Sequence, residues 1–595
     1  MVSLLSVHVV TGGLPVWLNN ITGIKFRSSN DLWKEEMGRF VKDMAALATP
    51  YLAKNGGPII MAQIENEYNW NDEPYIDWCG ELAASLQLDI PWVMCNGHSA
   101  NNTINTCNGN DCTFYAEEHV KNFPGQPLAW TENEGWFQEW DKEPLLPYDD
   151  RTPEDISLAI MKWFARGGAH HNYYMWFGGN HFARWAGCSI TNKYADGVNL
   201  HADGLPNEPK KTHLQRLHML LAKHGTVLLN VPSQINTPQP LTVFNTSVHT
   251  FVNATQQFAF AYKTDSGGVA FLENWEDTAA WVKLEDKVYT LPSDSSTLID
   301  LTSGVELYCS GKVNSTGLPT KRNYTTIKNN FAWLAWPENV TKLEGAFPSS
   351  RPLEQLSVTE DESDYLFYQT NFDSKPGNLS LIVQSRKANA MLAFVDGELY
   401  SNAFNNQHSY GDVSFKLSIS TSDTKTHQLS LLSVNLGVNN YFGPGTFDFK
   451  GITGSVTLQS TDITDGQWVH RAKLEGEILK VYTQQGSSSV PWNNKWQTYI
   501  NKPIVWFQSK FSRVNISTGH SLLLNLDGMG RGHIYLNGMD LGRYWLIEVD
   551  GIPVQQYYFL PPDLIQDTNL LTLIEELGAP DPSKVALVDS TMLLP

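Results

Sequence analysis

The sequence is short of positive charge, of paired cysteines and of long apolar runs. Against 62 acidic residues stand 42 lysines and arginines, leaving a formal net charge of −20 at pH 7. Nucleic acids and anionic membrane surfaces are bound through basic patches, so neither is an expected partner. No apolar run reaches the roughly 18 residues that a membrane-spanning helix requires, so none is expected. The first ten residues are too short and uncharged for a complete signal peptide. Six cysteines occur, Cys79, Cys95, Cys107, Cys112, Cys188 and Cys309, without a C-x-x-C pair, which argues against a zinc or dithiol redox site. Cys107 and Cys112 are close enough in sequence for a local disulfide.

What is present is size, aromatics and sequons. At 595 residues the chain is too long for one core, and three or four domains are expected. It carries 20 Trp and 23 Tyr. Bulky β-domain cores account for most such rings, and stacking on the apolar faces of pyranoses is the functional use of the rest. N-x-[ST] sequons begin at Asn20, Asn101, Asn245, Asn253, Asn314, Asn323, Asn339, Asn378 and Asn515. This density fits a secreted, vacuolar or lysosome-like route.

In the first third, apolar strands alternate with helices, the pattern of a parallel sheet with crossover helices. Trp33, Met37, Phe40, Val41, Met44 and Leu47 recur at helical spacing behind Asn30, a good N-cap, and Thr152-Pro153-Glu154-Asp155 is a strong helix start. Five strands are expected, near 58–64, 90–94, 103–106, 127–131 and 170–179. Two of them end in the same way. Gly57 to Ile64 runs apolar into Glu65-Asn66-Glu67-Tyr68, and Leu128-Ala129-Trp130 runs into Thr131-Glu132-Asn133-Glu134-Gly135-Trp136. Acids at the carboxyl ends of parallel strands sit where α/β barrels keep their chemistry, although each motif alone could be a solvated turn. From about Gly225 onward the texture becomes short alternating strands. Asp396-Gly397 and Asn537-Gly538 between apolar runs predict hairpins, and the likeness of Phe-Val-Asp-Gly to Tyr-Leu-Asn-Gly suggests two related β-sandwich or jelly-roll domains.

Taken together, these stretches resemble glycoside hydrolase family 35, the β-galactosidases, and most closely its plant-like multidomain members. The resemblance rests on Gly12-Gly13-Leu14-Pro15-Val16-Trp17-Leu18, Gln63 to Tyr68, Pro91 to Cys95, Asn105 to Gly109, Trp130 to Asn133 and Asn172 to Met175. In the β region it rests on Leu353 to Thr359, Ser363 to Leu366, and Met529 to Gly532 through Gly542 to Trp545. It implies a multidomain α/β plus all-β protein with a (β/α)8 TIM-type barrel followed by β-sandwich and jelly-roll domains. We expect a partial barrel over 1–225, a small β-sandwich over 226–345, a jelly roll over 346–490 and a second, galactose-binding-like jelly roll over 491–595.

The resemblance makes Glu67 the general acid/base, Glu132 the nucleophile, and Asn66, Tyr174 and Tyr194 sugar-contacting residues. Glu65 and Glu134 are left as supporting acids. The implied activity is retaining, exo-acting removal of terminal β-galactose from oligosaccharides, glycoconjugates or cell-wall polymers, without metal or organic cofactor. The chemistry is coherent in its own right. Retention requires two carboxyls about 5 Å apart, one protonated to serve the leaving oxygen and one ionised to attack the anomeric carbon. Tyr68 and Trp136 are expected to desolvate one acid and keep it protonated. His170 and His171 are expected to pack rather than catalyse, since the carboxylates account for every proton transfer.

Two departures qualify the resemblance. In the family the acid/base follows the fourth barrel strand and the nucleophile the seventh, whereas Glu67 follows the first strand here and Glu132 the fourth. The expectation is an N-terminally truncated barrel, through a mis-set start of the gene model in preference to a shortened isoform or a real truncated protein. Second, Tyr194-Ala195-Asp196 stands where the family shows Tyr-Asp-Tyr, placing Asp196 at a binding tyrosine. The alternatives are therefore an inactive carbohydrate-binding homologue and an exo-β-glycosidase of different sugar preference.

Overall fold

A computed structural model describes residues 14–135, 137–140, 142, 151–229, 239–245, 250–264, 267–328, 331–407, 411–438, 448–579 and 581–594. Gly12, Gly13 and Trp136 of the motifs above lie outside the described residues, as does the side chain of Glu134.

The first third holds α1 (Asp31–Ala48), β1 (Ala62–Asn66), α2 (Glu73–Ser85), β2 (Trp92–Cys95), β3 (Ile104–Gly109), α3 (Thr113–Asn122), β4 (Ala129–Glu134), α4 (Pro153–Ala165), β5 (His170–Tyr174) and α5 (Lys210–Lys223). Local chemistry sets the helix starts. The Asn30 side chain accepts from the Trp33 N–H at 3.1 Å, and Thr152 accepts from the Asp155 N–H at 3.2 Å, each satisfying an amide that the first turn leaves unpaired. The five strands form one parallel sheet in the order β1-β2-β3-β4-β5. Strands β1 to β4 all begin later than the sequence suggested, and in β1, β3 and β4 the polar residues at the ends belong to the ladder. Helix α1 buries Trp33, Met37 and Val41, but Phe40 and Leu47, which share the helical spacing, are 51% and 68% exposed. The buried stripe centres on Met37, Val41 and Ala48, and these two side chains fall on its flank.

The β region begins with one seven-stranded antiparallel sheet between residues 239 and 309 rather than the expected sandwich of two sheets. It leans on the parallel unit through Arg166, which pairs with buried Glu273 at 2.9 Å, and through Tyr262, whose hydroxyl donates to the Phe164 carbonyl at 2.7 Å. Residues 347–472 make a six-stranded and a four-stranded sheet packed around Leu366, Leu381, Met391 and Leu431. Strands Lys321–Ile327 and Leu334–Pro337, expected in the 226–345 domain, instead pair with Ala586–Leu593 and Val505–Ser512. The 347–472 unit is thus inserted into the C-terminal one.

The two units share a strand order. Tyr365–Asp373, Thr426–Asn435, Asn389–Val395 and Glu398–Asn405 lie side by side, and Val505–Ser512, Thr568–Glu575, Arg531–Leu536 and Met539–Trp545 repeat that sequence of neighbours. Their hairpins turn at Asp396-Gly397 (φ 49° and 91°) and Asn537-Gly538 (φ 53° and 93°), and each has a register slip just before the turn. Two left-handed residues are what the tight turn between twisted strands requires. The sequon asparagines 20, 101, 253, 314, 339, 378 and 515 are exposed and Asn323 is half-buried; the Asn245 side chain lies outside the described residues. Among the described residues no helix is long and apolar enough to cross a membrane.

Candidate active site

The site is built at the carboxyl ends of β1, β3, β4 and β5. Along β1 the β1–β2 register slips between Gln63 and Asn66, and Glu65 takes a left-handed φ of 61°. Such a bulge re-aims the side chains that follow it. Glu65 turns into the layer beneath the sheet, where it is fully buried and receives Arg27 Nε at 3.0 Å, Arg27 Nη2 at 2.7 Å and the Tyr75 hydroxyl at 2.8 Å. Burial and the Glu65 charge together hold the Tyr75 phenol well above its ordinary range, so it remains a donor. Arg27 also donates to the Asn66 carbonyl at 2.6 Å. The Arg27–Glu65 pair therefore anchors the strand end. Tyr68 is buried against Arg27, Trp70 and Tyr75, with its hydroxyl on the Arg27 carbonyl, so its ring belongs to this same supporting layer.

Glu67 is again left-handed (φ 51°), and its N–H donates to the Cys95 carbonyl at 2.9 Å. Its half-buried carboxylate accepts Asn108 Nδ2 at 3.0 Å. Asn66 has its amide oxygen held by Gln63 Nε2 at 3.0 Å and by the Cys95 thiol, which turns its nitrogen the other way. The Asn108 amide also contacts Cys95 Sγ at 3.1 Å, while its oxygen accepts from the Thr131 hydroxyl at 2.9 Å. Burial pushes the Cys95 thiol well up, and the charges of Glu132 and Glu67 push the same way. Both carboxylates thus act on one buried sulfur.

The β3–β4 register slips as well, setting Asn108 opposite Glu132. Glu132 is buried, and its carbonyl receives Trp130 Nε1 at 2.8 Å. The Thr131 carbonyl beside it accepts Asn172 Nδ2 of β5 at 3.0 Å. Asn133 lies between Arg151 Nη1 at 2.5 Å and His171 Nε2 at 3.0 Å. His171 is enclosed by Trp130, Tyr173 and His218, and burial, then His218, hold it well below the usual imidazole range. It packs as a neutral ring. A disulfide joins Cys107 at the middle of β3 to Cys112 at the cap of α3.

At the far edge the Gly135 N–H donates to the Tyr174 carbonyl at 3.0 Å, tying the end of β4 to β5. The Tyr174 and Tyr194 hydroxyls meet at 2.5 Å, and the Tyr194 ring stacks between Phe137 and His181. Asp196 is held within its own loop, accepting the Ala202 N–H at 2.7 Å and facing Lys193 at 3.3 Å and His201 at 3.5 Å. The structure therefore brings Asn66, Glu67 and Glu132 together around Asn108, and Tyr174 to Tyr194. Asn108 and Cys95 lie inside stretches that carried the resemblance, but their types alone assigned them no task. Arg27 stood in no motif.

Acids at the carboxyl ends of parallel strands, held by amides and rings, are the arrangement on which hydrolases of α/β type build their chemistry. Comparison with known proteins makes the assignment specific. Residues 7–221 match the family model for glycosyl hydrolases family 35, and residues 504–569 match that for the beta-galactosidase, galactose-binding domain. The chain is 31% identical to probable beta-galactosidase 2 of Dictyostelium discoideum, over 90% of this chain and 72% of that protein. It is 30% identical to beta-galactosidase 8 of Arabidopsis thaliana, over 97% of this chain and 70% of that protein. With beta-galactosidase 13 of Arabidopsis thaliana the identity is 31%, over 95% and 67%. The chain belongs to glycosyl hydrolase family 35 and is a glycoside hydrolase.

Proposed function

We propose that the protein removes terminal β-galactose from galactosides by double displacement, with Glu132 as nucleophile and Glu67 as acid/base. The observation that carries this reading is Asn108, which holds the Glu67 carboxylate and stands opposite Glu132 in the β3–β4 ladder. Retention calls for two carboxyls about 5 Å apart, and Asn108 is the residue that relates the two acids here. Glu132 attacks the anomeric carbon while Glu67 gives its proton to the leaving oxygen, and Glu67 then takes a proton from the water that releases galactose. Asn66, with its amide nitrogen turned from its anchored oxygen, donates to a sugar hydroxyl, and Tyr174 with Tyr194 forms the opposite wall. Glu65 serves as the anchor of the strand end. Left-handed backbone at both Glu65 and Glu67 is strain of the kind that persists where geometry is functional.

In this reading β1 to β5 are consecutive units of a (β/α)8-type barrel, and the regions 347–472 and 505–593 are jelly rolls. The substrates are oligosaccharides, glycoconjugates or cell-wall polymers. Exposed sequon asparagines support a secreted or vacuolar setting. The test is turnover of a nitrophenyl β-galactoside by the parent, Glu132→Ala and Glu67→Ala. Loss in the first, with azide rescue giving the α-galactosyl azide, supports the nucleophile assignment. An unchanged rate in Glu132→Ala overturns it, and binding of galactose without turnover by the parent would favour a carbohydrate-binding protein.

A further inference from the structure

The loop that follows β5 and carries Tyr194 is gripped from outside the parallel unit. Arg543, on the C-terminal jelly roll, is buried and donates to the carbonyls of Ala186 and Arg184, both at 3.3 Å. Its fork is held by Asp364 of the inserted jelly roll, with Nε to Oδ2 at 2.6 Å and Nη2 to Oδ1 at 2.9 Å. His533 packs behind, bridging Asp364 at 3.1 Å and Asp540 at 3.1 Å. Backbone contacts repeat the grip. The Ala183 N–H donates to the Asp540 carbonyl at 3.1 Å, Asn192 Nδ2 to the Leu541 carbonyl at 2.9 Å, and the Cys188 N–H to the Val438 carbonyl at 3.1 Å.

Two glycines show how close the approach is. A Cβ on Gly542 (φ 109°) would collide with Asn192 Nδ2 and lie 2.8 Å from the His181 carbonyl oxygen. A Cβ on Gly437 (φ 109°), from the other jelly roll, would lie 2.6 Å from the Gly187 carbonyl oxygen. Contacts of this kind leave no room for adjustment in a close-packed interior. From the gripped segment the path to the site is short. His181 stacks on Tyr194 at 4.8 Å, the Gln138 N–H donates to the Tyr194 carbonyl at 3.0 Å, and Tyr194 reaches Tyr174 at the end of β5.

We infer that Arg543 and Gly542 are positioning residues for the sugar site, acting through the 181–194 loop to set the place of Tyr194. This rests on the reading of Tyr174 and Tyr194 as a wall of that site. The β domains are then part of the active site's construction. A residue that fixes a substrate wall acts mainly on ground-state binding, so its loss falls on KM more than on kcat.

The test compares Gly542→Ala with Gly551→Ala in the full chain. Both glycines are left-handed in the same jelly roll, but a Cβ on Gly551 meets nothing within 4 Å, so the second variant carries backbone strain without pushing the loop. Gly542→Ala is expected to raise KM for a nitrophenyl β-galactoside, and the dissociation constant of a galactose-like iminosugar, by about ten- to hundredfold, with kcat changed less. Amide exchange at Ala183 and Thr191 is expected to quicken, and Gly551→Ala to leave both readouts unchanged. Should Gly542→Ala not fold, Arg543→Lys, which keeps the charge but loses the fork, is expected to give the same pattern. Equal effects from both glycine variants, or fast exchange with unchanged KM, would overturn the inference. If the parent neither turns over nor binds these galactosides, the galactosidase reading fails; slow amide exchange in the parent with fast exchange in Gly542→Ala still upholds the grip, and equal exchange overturns it.

Discussion

Asn108 donates its side-chain amide to the Glu67 carboxylate at 3.0 Å while its backbone faces Glu132 in the β3–β4 ladder. One neutral residue thereby spaces the two acids and is hydrogen-bonded to one of them. In Asn108→Asp a like charge replaces that donor, and like charges at close range raise a carboxyl pKa. The limb of the kcat/KM profile that reports the protonated acid then moves to higher pH. Asn108→Ala loses a hydrogen bond to a carboxylate, worth about 1.5–3 kcal/mol, and lowers kcat/KM without introducing a charge. A pH–rate series on a nitrophenyl galactoside reads both.

Arg27→Met leaves Glu65 buried beneath β1 without the guanidinium that now holds both its oxygens. Breaking one side of a buried ion pair costs about 3–5 kcal/mol, and urea unfolding should show that loss in the transition of the parallel unit. The double variant Arg27→Met/Glu65→Gln is expected to recover a large part of the stability, because the uncompensated charge goes with it.

The contrast between these two sites shows what the sequence could and could not convey. Helix starts at Asn30 and Thr152 and hairpin turns at Asp396-Gly397 and Asn537-Gly538 are decided within four or five residues, and all were legible. The acids were legible too, because an apolar strand ending in polar residues is a local signal. Arg27 was not, since its partner is 38 residues away and a loop arginine carries no periodicity. The pairing of Lys321–Ile327 with Ala586–Leu593 was missed for a similar reason. Alternation marks a strand but says nothing about its neighbour.

Tyr174 and Tyr194 share one short hydrogen bond. Replacing either by Phe removes this bond, and each single change should raise KM through a loss of about 0.5–1.5 kcal/mol. The double Phe variant is expected to cost clearly less than the sum of the two. A double-mutant cycle on KM measures the coupling.

The junction of the 347–472 unit with the C-terminal unit should make stability fall toward alkaline pH. Burial raises Glu477 from 4.5 to about 7, so its contribution is complete below pH 4.5 and is lost as pH rises through 7. Burial opposes a charged His533, but Asp540 and Asp364 outweigh it and hold the imidazole at about 10. That contribution is complete below pH 6.5 and is lost as pH rises through 10. Asp364 is held far below the usual carboxylate range; burial works against this, and Arg543 and His533 overcome it. Its contribution is lost only in strong acid. Thermal midpoints between pH 5 and pH 10 should decline steadily, and Glu477→Gln should flatten the first part of that decline.

The insertion of 347–472 into the C-terminal unit has a consequence in time as well as in space. Strands Lys321–Ile327 and Leu334–Pro337 leave the ribosome long before their partners Ala586–Leu593 and Val505–Ser512. The whole of 347–472 is made between them and those partners. Glu67 and Glu132 are made early, but the arginine that steadies the Tyr194 loop is made near the end. The Tyr194 loop therefore gains its outer grip late in synthesis, and a nascent chain stalled short of residue 543 would carry both acids while that loop lacks its contacts to Arg543.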